Sequence, residues 1–227
     1  MTFRELLNEV LTRLREPTIA TDWSGAINDS NVVSDYHKTV AALINDSKRN
    51  VEQYYDWMIL RETVEVTTVS GTRSYSLNSG QEIKILDVVN QNTGQRLKQA
   101  SRAYMNDVRY PTESDGEPIY YAFNGKDSSN NLKVELAPKP DVAHTLSFDI
   151  VKYQDKLTDA TDVLSVPEQP VILGAWARAI AERGEDGGTQ SSIVAVEYAD
   201  ALHNSIALDN SNAQYELDWY VEQRYHG

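Results

Sequence analysis

The side chains that could do chemistry are few and scattered. The four histidines, His37, His144, His203 and His226, fall on a helix, a strand edge, a second helix and the penultimate position. No HExxH pair sets two of them one helical turn apart, as a zinc hydrolase needs. Glu113 with Asp115, or Asp159 with Asp162, could be imagined as an acid and base pair. Carboxylates clustered in acidic loops more commonly form solvated faces. No GxSxG nucleophile elbow occurs. Gly71, Gly80, Gly94, Gly116 and Gly125 are isolated turn glycines, and Gly184, Gly187 and Gly188 follow a helix instead of opening one, so no phosphate cradle is expected. The chain has no cysteine, which removes disulfides, thiolate catalysis and cysteine zinc sites together. No catalytic residue, metal ligand or cofactor site is expected.

Binding is the remaining possibility, and charge narrows it. With 34 Asp and Glu against 21 Lys and Arg the net charge is −13, which opposes a surface that grips phosphates. The best basic and aromatic stretch, Arg102 to Tyr110, holds two arginines with Asp107 between them. The 13 Tyr and 4 Trp far outnumber the 3 Phe. Such rings suit surfaces buried at one end and hydrogen-bonded at the other, as at interfaces, although half-exposed positions in a small β domain give the same bias. No stretch approaches the roughly 20 apolar residues of a membrane span. The start, MTFRELLNEVLTRLRE, is amphipathic and charged, unlike a signal peptide, so synthesis in a cytoplasm without membrane contact is expected.

The elements follow from periodicity. Thr2 and Glu5 match a capping box, and Phe3, Leu6, Leu7, Val10, Leu11 and Leu14 recur at helical spacing until Pro17. A polar loop to Asn31 has Trp23 as its one large anchor. A second helix is predicted from about Val33 to Trp57, with Tyr36, Val40, Leu43, Ile44, Val51, Tyr54 and Tyr55 on its stripe and Lys48, Arg49 and Glu52 off it. From Leu60 the period changes to two. Val64 and Val66, Tyr75 and Leu77, then Ile83, Ile85 and Val89 mark strands up to a turn at Thr93 and Gly94. After a short helix over Ser101 to Val108 come strands at Ile119 to Phe123, Leu132 to Leu136 and Leu146 to Tyr153, with Asn124-Gly125 as the turn between the first two.

Helical spacing returns after Pro167. Val171, Ile172, Ala175, Trp176, Ala179 and Ile180 make one apolar face, and a last helix is predicted over Ser192 to Leu208, with Val194, Tyr198, Leu202 and Ile206 at spacings of four. The fold class is therefore α+β: a helical bundle of N- and C-terminal helices (1–58 and 167–210) with an inserted antiparallel β domain (59–166). Residues 211–227 read as a C-terminal tail. Its rings Tyr215, Trp219, Tyr220 and Tyr225 stand among polar residues with no apolar stripe wide enough to build a core. They are the candidate partner-binding residues, either for another protein or for docking on their own subunit.

Taken in order, these segments resemble the head-to-tail adaptor proteins of tailed bacteriophages, also called tail tubular, head-completion or neck proteins. The likeness rests on Tyr54-Tyr55-Asp56-Trp57 closing a long helix, Gly71 to Leu77, Glu82 to Val89, and Pro118-Ile119-Tyr120-Tyr121. It continues through Leu132 to Leu136 before Pro138 and Pro140, and through Leu146 to Tyr153 before Asp162, Val163, Leu164 and Val166-Pro167-Glu168. The family commonly has a proline where this chain has Asn78 and a leucine where it has Val166. The resemblance implies a structural virion protein made in the host cytoplasm and placed in the virion neck. It implies a ring of copies, typically a dodecamer, bound below the portal protein and offering attachment to tail or nozzle proteins. DNA would pass through its lumen without specific binding, and acidic walls suit that passage because they hold no phosphates. The tail rings would then meet the portal or an adjacent subunit. A ligand- or protein-binding α+β module, or an enzyme using the acidic loops, are the competing readings.

Overall fold

The computed structural model describes residues 1–20, 22–29, 33–77, 83–109, 114–184 and 188–224; the side chains of 108, 109 and 212–224 fall outside that description. The chain begins with helices α1 (Phe3–Arg13) and α2 (Asp35–Tyr54). Strands β1 (Arg61–Thr67), β2 (Ser74–Ser76), β3 (Ile83–Asn90) and β4 (Lys98–Gln99) precede helix α3 (Arg102–Arg109). Then come β5 (Asp115–Gly116), β6 (Tyr120–Lys126), β7 (Leu132–Ala137), β8 (Lys139–Pro140) and β9 (Thr145–Lys152), followed by α4 (Glu168–Arg183) and α5 (Thr189–Arg224). This is a mixed α+β chain with helices at both ends and sheets between. It divides into two compact units, Met1–Ile59 with Gln154–Gly227, and Leu60–Tyr153.

In the first unit the caps and stripes act as their residue types require. Thr2 Oγ1 accepts the Glu5 amide at 3.4 Å while the Glu5 carboxylate accepts the Thr2 amide at 2.8 Å, which starts α1. Phe3, Leu6, Leu7, Val10 and Leu11 are then all buried against α2 and α4. Ser34 and His37 exchange the same two bonds at the start of α2. That helix is shorter than its stripe suggests, because Tyr55 turns to an extended conformation, φ −147°, ψ 152°. The loop after α1 is pinned at Ile19 and Val33 as well as at Trp23: all three are buried, and the Asn8 amide holds the Ile19 backbone from both sides at 2.8 and 3.0 Å.

Two charges predicted to lie off the α2 stripe are in fact buried. Lys48 and Glu52 have side chains 2% and 0% exposed, with Lys48 Nζ 2.9 Å from Glu52 Oε1. The ammonium also donates to the Gln154 carbonyl at 2.7 Å, and Glu52 Oε1 accepts the Gln154 amide at 3.3 Å. Burial lowers the Lys48 pKa, and the bond to Glu52 opposes that shift. The pair thus fastens the chain where it returns from β9. Beyond it Leu157, Ala160, Leu164 and Val166 add to the core of the helical unit.

The second unit joins a three-stranded antiparallel sheet, order β1-β9-β3, to a four-stranded sheet, order β2-β7-β6-β4, in which β4 runs parallel to β6. A two-stranded parallel pair, β5 with β8, accompanies them. Leu77, Val88, Tyr121, Val134, Leu136, Phe148 and Ile150 form one core drawn from both large sheets. Asn124-Gly125 is not the turn between β6 and β7. The pairing shifts register between Phe123 and Lys126, with Gly125 at φ 72°, so these residues form a bulge. The turn lies at Asp127 to Asn131, where the Asp127 carboxylate accepts the amides of Ser129 and Asn131, each at 2.8 Å.

Candidate docking site

Of the groups that might have assembled a catalytic centre, His37, His144, Asp115 and Asp162 are each occupied locally. His37 caps α2, and its second ring nitrogen lies 3.1 Å from the Pro17 carbonyl. His144 lies between Asn90, at 3.2 Å, and Asp141, at 3.5 Å, inside the second unit. His203 is exposed on α5, and His226 lies outside the described residues. Asp162 accepts the amides of Thr158 and Asp159 at 2.7 and 2.9 Å, which makes it the cap of its own turn. Asp115 pairs with Lys139 at 2.9 Å, and Glu113 is outside the described residues. Among the described residues no group of three or more His, Asp or Glu could hold a metal ion, and no helix is long and apolar enough to cross a membrane.

The structure does bring α2, α4 and α5 into close packing. Its first half packs on α4, with Val194 and Leu202 buried. Gly174 of α4 permits the approach: a Cβ there would stand 2.2 Å from Ser47 Oγ of α2 and 3.2 Å from the Tyr198 ring of α5. Burial among these helices raises the Tyr198 phenol pKa. The helix was predicted to end at Leu208, before the run Asp209-Asn210-Ser211-Asn212, whose side chains ordinarily compete with helical backbone bonds. Instead it continues to Arg224. Three of those side chains have partners that leave the backbone ladder intact. Asp209 Oδ2 accepts the Met58 amide at 3.1 Å, Asn210 Oδ1 accepts the Tyr55 hydroxyl at 2.6 Å, and the Ser211 hydroxyl donates to the Leu208 carbonyl at 2.7 Å. From Asp209 to Arg224 the helix runs on for roughly 22 Å at about 1.5 Å per residue.

Of the candidate docking residues, Tyr215, Trp219 and Tyr220 fall within this distal stretch of α5, and Tyr225 lies outside the described residues. At about 100° per residue, positions 215 and 219 fall on the side of the helix that carries Leu208, and position 220 on the side that carries Leu202. Leu208 is 69% exposed and Leu202 is buried. A cleft of about 370 Å³ opens at the root of this stretch, lined among others by Trp57, Ile59, Leu164, Pro167, Glu168 and Asp209. Sequence reasoning missed it because its lining, which also includes Met1, comes from four separate segments and shares no motif.

The bundle thus grips the base of a long helix beside a cleft. A family model described as SU10 adaptor protein matches residues 1–220, and the chain belongs to that family of structural adaptor proteins of bacteriophages, which is not an enzyme family. No curated protein matches the chain.

Proposed function

We propose that this phage adaptor protein joins head to tail. Copies assemble as a ring below the portal in the virion neck, extend the DNA channel and provide the attachment site for tail or nozzle proteins. The copy number implied by the resemblance is twelve. The distal part of α5, with Tyr215, Trp219 and Tyr220, and Tyr225 beyond it in sequence, docks on the portal or an adjacent subunit. The observation that carries this reading is the continuation of α5 through Asp209 and Asn210, which presents a ring-rich segment on a helix anchored at its base. Large rings are the usual energetic centres of protein contacts. The negative charge of −13 per copy supports a channel along which DNA slides without being held.

The test is attachment to DNA-filled heads. Deleting residues 212–227, or replacing Trp219 and Tyr220 together by Ala, leaves the subunit folded by circular dichroism and abolishes attachment. Truncating one anchor ring often costs about 2 kcal/mol, roughly thirtyfold in affinity, and two rings cost more. Normal attachment by the truncated protein would refute docking through α5. Loss of folding would instead assign the segment to the subunit's own core.

A further inference from the structure

We propose that the state of α5 is transmitted to the turn through which the chain enters its β unit: a partner seated on the distal helix holds the Asp209–Met58 bond closed and steadies Met58–Leu60, and the return crossing at Gln154 is unaffected. The proposal rests on the reading of distal α5 as a docking helix. The chain passes between its two units twice, between Ile59 and Leu60 and between Tyr153 and Gln154. On the first passage Met58–Leu60 is a single 3₁₀ turn that runs directly into β1 at Arg61. A turn this short has little stability of its own. Its first amide, that of Met58, donates to Asp209 Oδ2 at 3.1 Å, so a carboxylate from α5 caps it. The Tyr55 hydroxyl donates to Asn210 Oδ1 at 2.6 Å, and the Tyr55 ring stands edge-on to the buried Trp57 with centroids 5.2 Å apart. This clasp on the first crossing comes from two consecutive residues of α5.

The second crossing is fastened differently. The Gln154 amide donates to Glu52 at 3.3 Å and its carbonyl accepts from Lys48 at 2.7 Å. Its side-chain amide donates to the Val163 carbonyl at 2.6 Å, and its side-chain oxygen accepts the Ser165 amide at 3.1 Å. None of these bonds involves α5, so only the first crossing feels what happens to that helix. The two states of the clasp differ in the helix that carries it. While residues 209 and 210 are helical, both acceptors reach Tyr55 and Met58; when the helix frays back past Asp209, both leave together. A partner that holds the turns beyond residue 211 suppresses such openings. By linkage, a closed clasp favours the docked helix to the same extent.

The experiment is amide hydrogen exchange of the full-length protein, alone and with saturating purified portal protein. Portal slows exchange over residues 212–223 and, together with it, that of Met58–Leu60, and leaves residues 154–157 unchanged. Asp209→Ala removes a charged acceptor and speeds exchange at Met58 about tenfold or more in the free protein. In that variant portal still slows the distal helix and no longer slows the turn. Unchanged tryptophan fluorescence melting confirms folding, and Asp209→Asn, which keeps an uncharged acceptor, serves if Asp209→Ala fails that check. Portal that protects the distal helix and not the wild-type turn overturns the coupling and leaves the docking reading intact. Equal protection of the turn in wild type and in the Asp209 variant does the same. Portal that leaves the distal helix unprotected overturns the docking reading, and the proposal with it.

Discussion

Gly174→Ala tests the close packing that fixes the base of α5. The added methyl would sit 2.2 Å from Ser47 Oγ and 3.2 Å from Cδ2 and Cε2 of Tyr198, so α4 must move or both neighbours must give way. Ser47 is fully buried, which leaves its hydroxyl few alternative positions. Overpacking a tight core costs about 1 to 3 kcal/mol, and two clashing neighbours place this site near the top of that range. Replacing glycine by alanine inside a helix returns up to about 1 kcal/mol. The net loss is about 2 kcal/mol, or about 4 to 8 °C in melting temperature for a chain of this size. All four tryptophans, Trp23, Trp57, Trp176 and Trp219, belong to the helical unit, so tryptophan fluorescence during urea or thermal unfolding reads that unit alone. Ser47→Ala by itself is close to neutral, because the hydroxyl has no hydrogen-bond partner to lose. Combined with Gly174→Ala it restores about 1 kcal/mol or more, a coupling expected only of residues in contact. A Gly174→Ala protein as stable as wild type, or a strictly additive double variant, would refute the packing argument.

Lys48→Met leaves the Glu52 carboxylate buried, with Arg49 3.8 Å away and the Gln154 amide as its remaining bond. Breaking such a pair costs about 3 to 5 kcal/mol, read as a lower urea midpoint of the tryptophan transition, whereas Lys48→Met with Glu52→Leu recovers most of it. Asp127 has its pKa lowered to about 2, first by the Ser76 hydroxyl and then by the side chain and amide of Asn131. A folded value below the unfolded one gives stability that is present above about pH 4 and lost as the pH falls towards about 2. Asp127→Asn therefore lowers the stability of the β unit at neutral pH, and the difference from wild type shrinks between pH 4 and 2 in far-ultraviolet circular dichroism. A difference that stays constant over that range would show that the carboxylate's charge is not what holds the turn.

The parts of the fold that were legible are those whose information is local. The change of period from 3.6 to 2 and back marks the helices at both ends and the sheets between. The capping box at Thr2 was legible because the Thr2 hydroxyl and the Glu5 carboxylate, each accepting the other residue's amide, lie three residues apart, whereas the box at Ser34 uses His37 and was not read. Lys48 and Glu52 were misread because their partner, Gln154, is about a hundred residues away, and no helical wheel records a carbonyl that arrives from β9. The bulge at Asn124-Gly125 was misread for a related reason. That dipeptide suits a left-handed turn and a bulge equally, and the stronger turn signal, Asp127 with two amides to accept, lies just beyond it.

The continuation of α5 was hidden by the same mechanism, and that bears on the proposed docking role. Asp209, Asn210 and Ser211 are poor helix residues when their side chains are idle, because they offer the backbone rival hydrogen bonds. In the folded chain Asp209 and Asn210 instead hold Met58 and Tyr55, beside Trp57, whose indole nitrogen donates to the Val51 carbonyl at 2.7 Å. The residues that would end the helix in isolation are therefore those that fasten it to the bundle. An isolated helix of the distal length is little longer than the about 12 to 15 residues that even favourable sequences need, and its first turn holds Asp209, Asn210 and Ser211, which disfavour it. Continuity with the packed half of α5 removes the cost of nucleation, so in the proposed docking the segment would meet a partner as a helix already formed and would lose less entropy than a disordered tail. Replacing Asp209 and Asn210 together by Gly should uncouple the two halves. Amide exchange beyond residue 211 would then rise while that of residues 189–205 stays unchanged, and head binding would weaken even though every ring is still present. Unaltered exchange beyond residue 211 would mean that the distal helix stands without its clasp.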